Sequence, residues 1–213
     1  MVAAVVATGS GIIYNFWPKK EPPDEAGQFQ GDAKNNWSPE TGSYKVVGAI
    51  RTKWEEMRLA PANLGYPVDH EVPTFDGVGR LQAFQRGMIC WHPETGAHLV
   101  WGLIGERWLQ IGREQFGYPI TDEIPTPDGR GRFNHFRAVH LPGKPEASIY
   151  WHPDTGAHEV YGAIHAKWAE MGFERSQLGF PVTAEQDLAG GRVQRFQGGS
   201  LFWTPLQGDV VVQ

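Results

Sequence analysis

The chain has 213 residues and a net charge of −5, from 19 Lys and Arg against 24 Asp and Glu. This length suits one or two domains with a sizeable core. The acidic balance excludes the broad basic surface of a nucleic-acid-binding protein and a polybasic membrane patch. Cys90 is the single cysteine, so this chain can form neither an internal disulfide nor a thiolate zinc cluster.

Hydropathy argues against membrane insertion, because no stretch reaches the roughly 20 apolar residues that span a bilayer. The opening MVAAVVATGSGII is mildly apolar. It lacks a basic leading segment, so we do not expect it to be a secretory signal.

An internal repeat dominates the sequence. A Trp-x-Pro turn segment occurs four times, beginning at Trp37, Trp91, Trp151 and Trp203. In the first three copies a second tryptophan follows 17 residues later, at Trp54, Trp108 and Trp168. Such fixed spacing indicates one structural unit copied along the chain.

Each unit is predicted to begin with a helix. Apolar residues recur at i, i+4 and i+7 around the second tryptophan, as in Ile50, Trp54 and Met57, with charged residues opposite; this pattern is typical of a helix buried on one face. The stripe ends before a Gly- and Pro-bearing tetrapeptide at 64–67, 116–119 and 178–181. We expect this tetrapeptide to stop the helix, because glycine permits a left-handed exit and proline cannot continue the helix.

Three short strands are predicted after the tetrapeptide. Apolar and alternating runs separated by Gly and Pro turns lie at 80–84, 88–91 and 97–100, and again at 193–196, 200–203 and 209–212; they predict a three-stranded antiparallel meander. In the middle copy, residues 138–147 with Pro142-Gly-Lys-Pro145 are predicted to be an inserted surface loop.

A helix with three strands cannot bury its own apolar face, so neighbouring units must cover it. We therefore expect a β-rich α+β repeat domain over residues 29–213, with a partial unit at 29–46 and full units at 47–100, 101–160 and 161–213. Polar capping units are not evident, so a closed, propeller-like ring is the expected arrangement. Residues 1–28 would then cover or complete its seam.

The tetrapeptides Leu64-Gly-Tyr-Pro67, Phe116-Gly-Tyr-Pro119 and Leu178-Gly-Phe-Pro181 resemble the LGFP repeat family, which is named after this motif. The Arg-x-polar-x-Phe strand and the Trp-x-Pro turn strengthen the resemblance, which covers about residues 29–213. The resemblance implies an extracellular or cell-envelope location, because such repeats are associated with actinobacterial envelopes and are thought to hold secreted enzymes on cell-wall polysaccharide. Similar repeats occur in stand-alone glycan-binding proteins.

The turns supply the first set of candidate ligand-binding residues. An aromatic ring can pack on the C–H face of a sugar while His, Glu or Asp side chains hydrogen-bond to its hydroxyls. Repeated large aromatics normally fill a core, so the simpler alternative is that the rings are structural and the histidines end strands. The copies do not preserve the two histidines and specify no third ligand, so we expect no metal and no cofactor. The candidates are Trp37, Tyr44, Trp91, His92, Glu94, His98, Trp151, His152, Asp154 and His158.

A second set of candidates lies on the first strand of each meander. Because side chains alternate along a strand, its Arg, amide and Phe share one face. They either line a ligand groove or form a structural clasp, in which each Arg pairs with a carboxylate of the same unit; a repeated arginine beside an apolar strand favours the clasp. The residues are Arg80, Gln82, Arg132, Asn134, Arg192 and Gln194, with Glu71, Glu123 and Glu185 as the carboxylates.

Copying of the polar residues favours binding over catalysis, because an active site is normally built once whereas weak binding sites gain avidity from repetition. No nucleophile elbow, phosphate loop or dinucleotide fingerprint occurs. We therefore expect a non-catalytic, multivalent, lectin-like protein whose partner is a glycan or polysaccharide. The alternatives are a structural or protein-binding scaffold anchored to the cell envelope and a glycan-cleaving enzyme.

Overall fold

The computed structural model describes residues 37–38, 42–58, 64–188, 190–205 and 210–212. Each full unit contains one α-helix with its apolar stripe buried, as the spacing predicts; Trp54, Trp108 and Trp168 are at most 1% exposed. The helices are α1 (Gly48–Arg58), α2 (Gly102–Gln110) and α3 (Gly162–Glu170). Short 3₁₀ helices follow α2 and α3 at Arg113–Gln115 and Phe173–Arg175. Within the described residues, none of the helices has the length and apolar character needed to cross a bilayer.

The strands form one small hairpin and three antiparallel sheets. The hairpin is β1 (Trp37–Ser38) with β2 (Gly42–Ser43). The first sheet is β3 (Val72–Pro73), β4 (Arg80–Phe84), β5 (Gly87–His92) and β6 (Gly96–Trp101). The second sheet is β7 (Tyr118–Pro119), β8 (Ile124–Pro125), β9 (Arg132–Arg137), β10 (Glu146–His152) and β11 (Gly156–Tyr161). The third sheet is β12 (Gln186–Leu188), β13 (Gly191–Phe196), β14 (Gly199–Trp203) and β15 (Val210–Val212).

The predicted meander is present in every full unit, with additional short strands before it. The β4–β5–β6 order and its copies follow the predicted runs. The loop between β9 and β10 is the predicted insertion, and residues 141–145 in it are exposed. The prediction missed the short edge strands β3, β7, β8 and β12, because runs of two or three residues carry no readable alternation.

The tetrapeptide does not stop the helix, so that prediction was wrong. The α2 and α3 helices end at Gln110 and Glu170, and the left-handed glycines that follow are Gly112 and Gly172. The tetrapeptide instead joins the sheet, because its proline pairs with the phenylalanine at or next to the end of the first meander strand, as Pro119 does with Phe136 and Pro67 with Phe84.

The same tetrapeptide also supplies a hydrogen-bond acceptor for the helical tryptophan. The Trp54 indole donates to the Gly65 carbonyl at 2.7 Å, and the Trp108 indole donates to the Gly117 carbonyl at 3.0 Å. A buried indole N–H usually has such an acceptor. In the first two full units this hydrogen bond joins the helix to the start of its sheet, whereas the Trp168 indole N–H of the third unit has no hydrogen-bond partner among the described residues.

Helices and sheets alternate as layers. In the first sheet, Ile89 packs with α1, whereas Met88 and Cys90 pack with Ile104 and Trp108 of α2. The opposite side of α2 contacts the second sheet, and α3 lies between the second and third sheets. Each sheet between two helices is thus buried on both faces, which gives the order α1, first sheet, α2, second sheet, α3, third sheet.

The residues that the structure describes do not form the closed ring predicted from the sequence. All three sheets are open, and in the described part of the chain the first unit has no extensive packing against the third. The layers succeed one another because α2 and α3 each contact the sheets on their two sides. The predicted seam segment, residues 1–28, and most of the partial unit at 29–46 lie outside the described residues.

Candidate functional site

The first histidine of each turn is buried at the junction between units. His92 accepts a hydrogen bond at Nδ1 from the Glu94 backbone N–H, at 3.2 Å, and its ring lies 4.5 Å from that of Tyr118. His152 has the equivalent bond from the Asp154 N–H and packs 4.5 Å from Phe180. Both imidazoles therefore pack under the tetrapeptide of the following unit and are not available to a ligand.

The second histidine of each turn is half-buried and closes the turn. His98 Nε2 donates to the Thr95 carbonyl at 2.8 Å, and His158 does the same to Thr155. The two imidazoles of a turn thus have separate partners. In the part of the chain described by the structure, no three His, Cys, Asp or Glu side chains are grouped as a metal site.

The remaining turn residues are dispersed. Glu94 is exposed and forms an ion pair with Lys144 of the inserted loop. Asp154 is exposed. Tyr44 packs edge-on against His70 with ring centroids 5.0 Å apart. The Trp37 side chain lies outside the described residues.

The strand amides are structural. Gln82, Asn134 and Gln194 are fully buried, and each donates through its side-chain nitrogen to two backbone carbonyls. For Asn134 one of these carbonyls belongs to Leu99, in the preceding sheet. The amides therefore connect successive units and do not face a ligand.

The arginines and glutamates do form ion pairs within units. Arg80 lies 3.5 Å from Glu71, and Arg132 lies 3.4 Å from Glu123; Arg192 forms the equivalent pair with Glu185. Each arginine is also directly opposite a tryptophan on the neighbouring strand. These side chains define three Glu–Arg–Trp clusters: the first is Glu71, Arg80 and Trp91; the second is Glu123, Arg132 and Trp151; the third is Glu185, Arg192 and Trp203.

A cavity of about 250 Å³ opens at the second cluster, where the end of the first sheet meets α2 and the second sheet. Trp101, from the end of β6, and Trp151, from β10, are half-buried and line it together with the exposed Leu103 of α2. Glu123 and Arg132 supply its charged groups. We call this the Trp101 cavity; it brings two indoles, a carboxylate and a guanidinium around one apolar space.

Burial controls the charge of the carboxylate. Desolvation raises the pKa of Glu123 to about 7, although the Arg132 charge and a hydrogen bond from Trp101 act in the opposite direction. At neutral pH this side chain can therefore accept hydrogen bonds as a carboxylate or donate one as an acid.

A second cavity, of about 360 Å³, lies between Phe75 and the 3₁₀ helix of the second unit. Its charged residues are already paired, since Arg113 contacts the buried Glu114 through two hydrogen bonds of 2.8 and 3.0 Å. Glu114 also accepts from the Phe75 N–H. This cavity has one exposed aromatic ring and is a weaker candidate.

Sequence reasoning missed Trp101. It occupies the position just before the helix glycine, where the next unit has Tyr161. The aromatic–Gly pair, present in two units, was the available signal. It is not a regular feature of the repeat, because the first unit has Val47 at this position.

Fold and site together define a repeat protein of alternating helix and sheet layers, with clusters of aromatic and charged side chains at the unit junctions. The LGFP repeat model matches residues 23–60, 64–115, 116–176 and 178–213. The chain therefore belongs to the LGFP repeat family, which is not a known enzyme family. The second, third and fourth matched segments each begin at a tetrapeptide. No curated protein matches the chain in a sequence comparison.

Proposed function

We propose that this protein is a non-catalytic carbohydrate-binding protein and that the Trp101 cavity holds a sugar residue. The observation that carries the proposal is the pairing of two half-buried indoles, Trp101 and Trp151, with Glu123 and Arg132 around one cavity. Sugars present an apolar C–H face and a polar rim of hydroxyls. Indole faces suit the first, and a carboxylate beside a guanidinium suits the second.

The size of the cavity supports a small ligand. Its volume of about 250 Å³ is below the roughly 300–1,000 Å³ typical of sites for drug-sized molecules. One monosaccharide unit of a longer chain is a suitable occupant, because the cavity lies open at a unit junction where the rest of a polymer can continue along the surface.

The repeat supports recognition of a polymer. The three Glu–Arg–Trp clusters lie on one stack of units, so a polysaccharide can contact more than one of them. Weak contacts on a common frame raise the apparent affinity by orders of magnitude. Such avidity suits the cell-envelope location and cell-wall glycan that we propose for this protein.

The tryptophans also bear on the scaffold alternative. The helical rings Trp54, Trp108 and Trp168 fill the core, as a purely structural repeat requires. Trp101 and Trp151 remain half-buried beside a cavity, and this aromatic surface favours ligand binding over a scaffold role.

One observation favours glycan cleavage as a second candidate function. A carboxyl with a pKa near 7, as in Glu123, suits a general acid. Most glycosidases need a second carboxylate across the bond, and Glu123 is the single carboxylate among the described residues that line the Trp101 cavity. Release of reducing ends from a polysaccharide, lost in Glu123→Gln, would support cleavage over binding.

Titration of tryptophan fluorescence with a panel of monosaccharides tests the binding proposal. We expect a blue shift with one sugar and none with its epimer, and loss of the response in Trp101→Ala. Phe75→Ala is the matched control, because it removes an exposed aromatic ring beside the other cavity and should leave the response intact. A glycan array with no bound sugar and no fluorescence response would contradict the proposal.

A further inference from the structure

The three Glu–Arg–Trp clusters share their residue types and differ in one neighbour. The residue just before the helix glycine is Val47 in the first unit, Trp101 in the second and Tyr161 in the third; Trp101 lines the cavity of the second cluster and Tyr161 contacts Arg192 of the third. In the second cluster this residue lines the cavity and bonds to the carboxylate. The clusters are therefore copies with unequal surroundings.

The aromatic neighbour changes the solvation of the carboxylate. The side chains of Glu123 and Glu185, in the units with Trp101 and Tyr161, are each 6% exposed, whereas that of Glu71, in the unit with Val47, is 24% exposed. A hydrogen bond to a sugar hydroxyl contributes more where water is excluded. The first cluster is thus the poorest acceptor of the three, and the position that holds Trp101 or Tyr161 in the other units is Val47 in its unit, which supplies no second ring.

The arginines differ in how many donors are already used. Arg80 donates to the carbonyls of Gly77, Val78 and Gly79. Arg192 binds Glu185, Asp187 and the Tyr161 hydroxyl. In the described part of the chain, the polar contact of Arg132 is its ion pair with Glu123 at 3.4 Å. Because a guanidinium has five N–H groups, Arg132 retains the most donors for a ligand.

We infer that the second cluster is the one primary saccharide site and that Trp101 sets its affinity. The first and third clusters are weak sites that contribute to binding only when the ligand is a polymer. This inference rests on the proposed function. The ligand class is a pyranose with adjacent hydroxyls: one hydroxyl donates to Glu123, a neighbouring oxygen accepts from Arg132, and the C–H face packs on the indoles.

Calorimetric titration with methyl glycosides of glucose, galactose, mannose and N-acetylglucosamine tests the inference. With the sugar that binds, we expect one site per chain. Trp101→Val, which gives the second cluster the neighbour type of the first, should weaken binding at least 10-fold. Tyr161→Val, the matched change at the third cluster, should alter the monosaccharide affinity less than 2-fold.

Binding to the corresponding polysaccharide separates the weak contacts from the primary site. Tyr161→Val should weaken polymer binding several-fold although it spares the monosaccharide. A wild-type stoichiometry near three, unchanged binding in Trp101→Val, or equal monosaccharide losses in both variants would overturn the inference while leaving the proposed function intact. Absence of wild-type binding to every glycoside and to the polymer would contradict the proposed function itself.

Discussion

The Tyr118 hydroxyl donates a 2.8 Å hydrogen bond to Oδ2 of Asp76, which joins the tetrapeptide of the second unit to a turn of the first. Burial would raise the pKa of Asp76, but hydrogen bonds from Thr74, Tyr118 and two backbone N–H groups of the turn hold it well below its ordinary range. The third unit has Phe180 at the position of Tyr118. The contact therefore strengthens the junction between the first and second units and is not copied at the junction between the second and third.

Tyr118→Phe should lower the free energy of unfolding by about 1–2 kcal/mol, because a hydrogen bond to a charged group is lost without a cavity being created. Denaturant unfolding measures the change. Tyr44→Phe removes a tyrosine hydroxyl ahead of α1 and should cost less than about 0.5 kcal/mol. Equal losses in the two variants would contradict a specific role for the Asp76 contact.

Arg107 of α2 connects the helix to the second sheet through two hydrogen bonds to Glu159, of 2.6 and 2.7 Å. Arg107→Met should destabilise the protein by roughly 2–4 kcal/mol, because it leaves a buried carboxylate unpaired. The first unit has Leu99 at the position of Glu159. Adding Glu159→Leu to Arg107→Met should therefore recover at least half of the loss in a thermal or denaturant scan. A double variant no more stable than the single one would show that the ion pair is not the source of the effect.

A buried His–Ser–His group predicts sensitivity to acid. Ser148 Oγ lies 2.6 Å from His135 Nδ1 and 2.8 Å from His165 Nε2, between the second sheet and α3. Burial, followed by the neighbouring His135, lowers the pKa of His165 to about 4, while Glu146 acts in the opposite direction. Burial also lowers the pKa of His135. Both imidazoles are therefore held in the neutral form.

Because the folded-state pKa of His165 is below its unfolded value, its contribution to stability is complete above about pH 6.5 and is lost as the pH falls towards 4. The expected loss from His165 is about 3 kcal/mol. Urea unfolding between pH 7.5 and 4 should show this slope in the wild type and a smaller one in His165→Met. His70→Ala, a substitution of an exposed histidine, should keep the wild-type dependence of unfolding free energy on pH. An unchanged dependence in His165→Met would refute the assignment of the acid sensitivity to His165.

Glu123 should have the opposite pH dependence. Its folded-state pKa of about 7 is above the ordinary value, so folding favours the protonated form. That contribution is complete below about pH 4.5 and is lost as the pH rises through 7. The two groups act over overlapping pH ranges, so the difference in unfolding free energy between wild type and Glu123→Gln is the informative quantity. We expect the glutamine variant to gain relative stability from pH 5 to pH 8; a constant difference would contradict the raised pKa.

The sequence predicted the unit, its helix and its three main strands because their signals repeat. The 17-residue spacing of Trp37 and Trp54 and the strand run at Arg80–Phe84 occur in three copies, so chance agreement is excluded at each position. The helix end was misplaced because glycine and proline in the tetrapeptide suit a helix stop and a sheet start equally well. Gly112, which does follow the helix, has no counterpart signal in the first unit.

The candidate site was harder to predict because it depends on contacts between units. Glu123 and Arg132 were identifiable as a pair, since both recur at fixed positions. Trp101 was not, because its role arises where the end of one sheet meets the next helix. The prediction of a closed ring failed for a related reason. The sequence shows that a neighbouring unit must cover the apolar face of each unit. The direction in which that neighbour lies depends on how the helix packs between the sheets.

The alternation of helix and sheet layers has a consequence for how such a protein can gain repeat units in evolution. Val193, Phe202 and Val211 on the outer face of the third sheet occupy the register positions that in the earlier sheets face the following helix. A duplicated gene segment encoding one more unit would meet a surface of the right shape and polarity. Duplication of a unit can thus extend the stack by one helix and one sheet at a time while the packing of the earlier units stays unchanged.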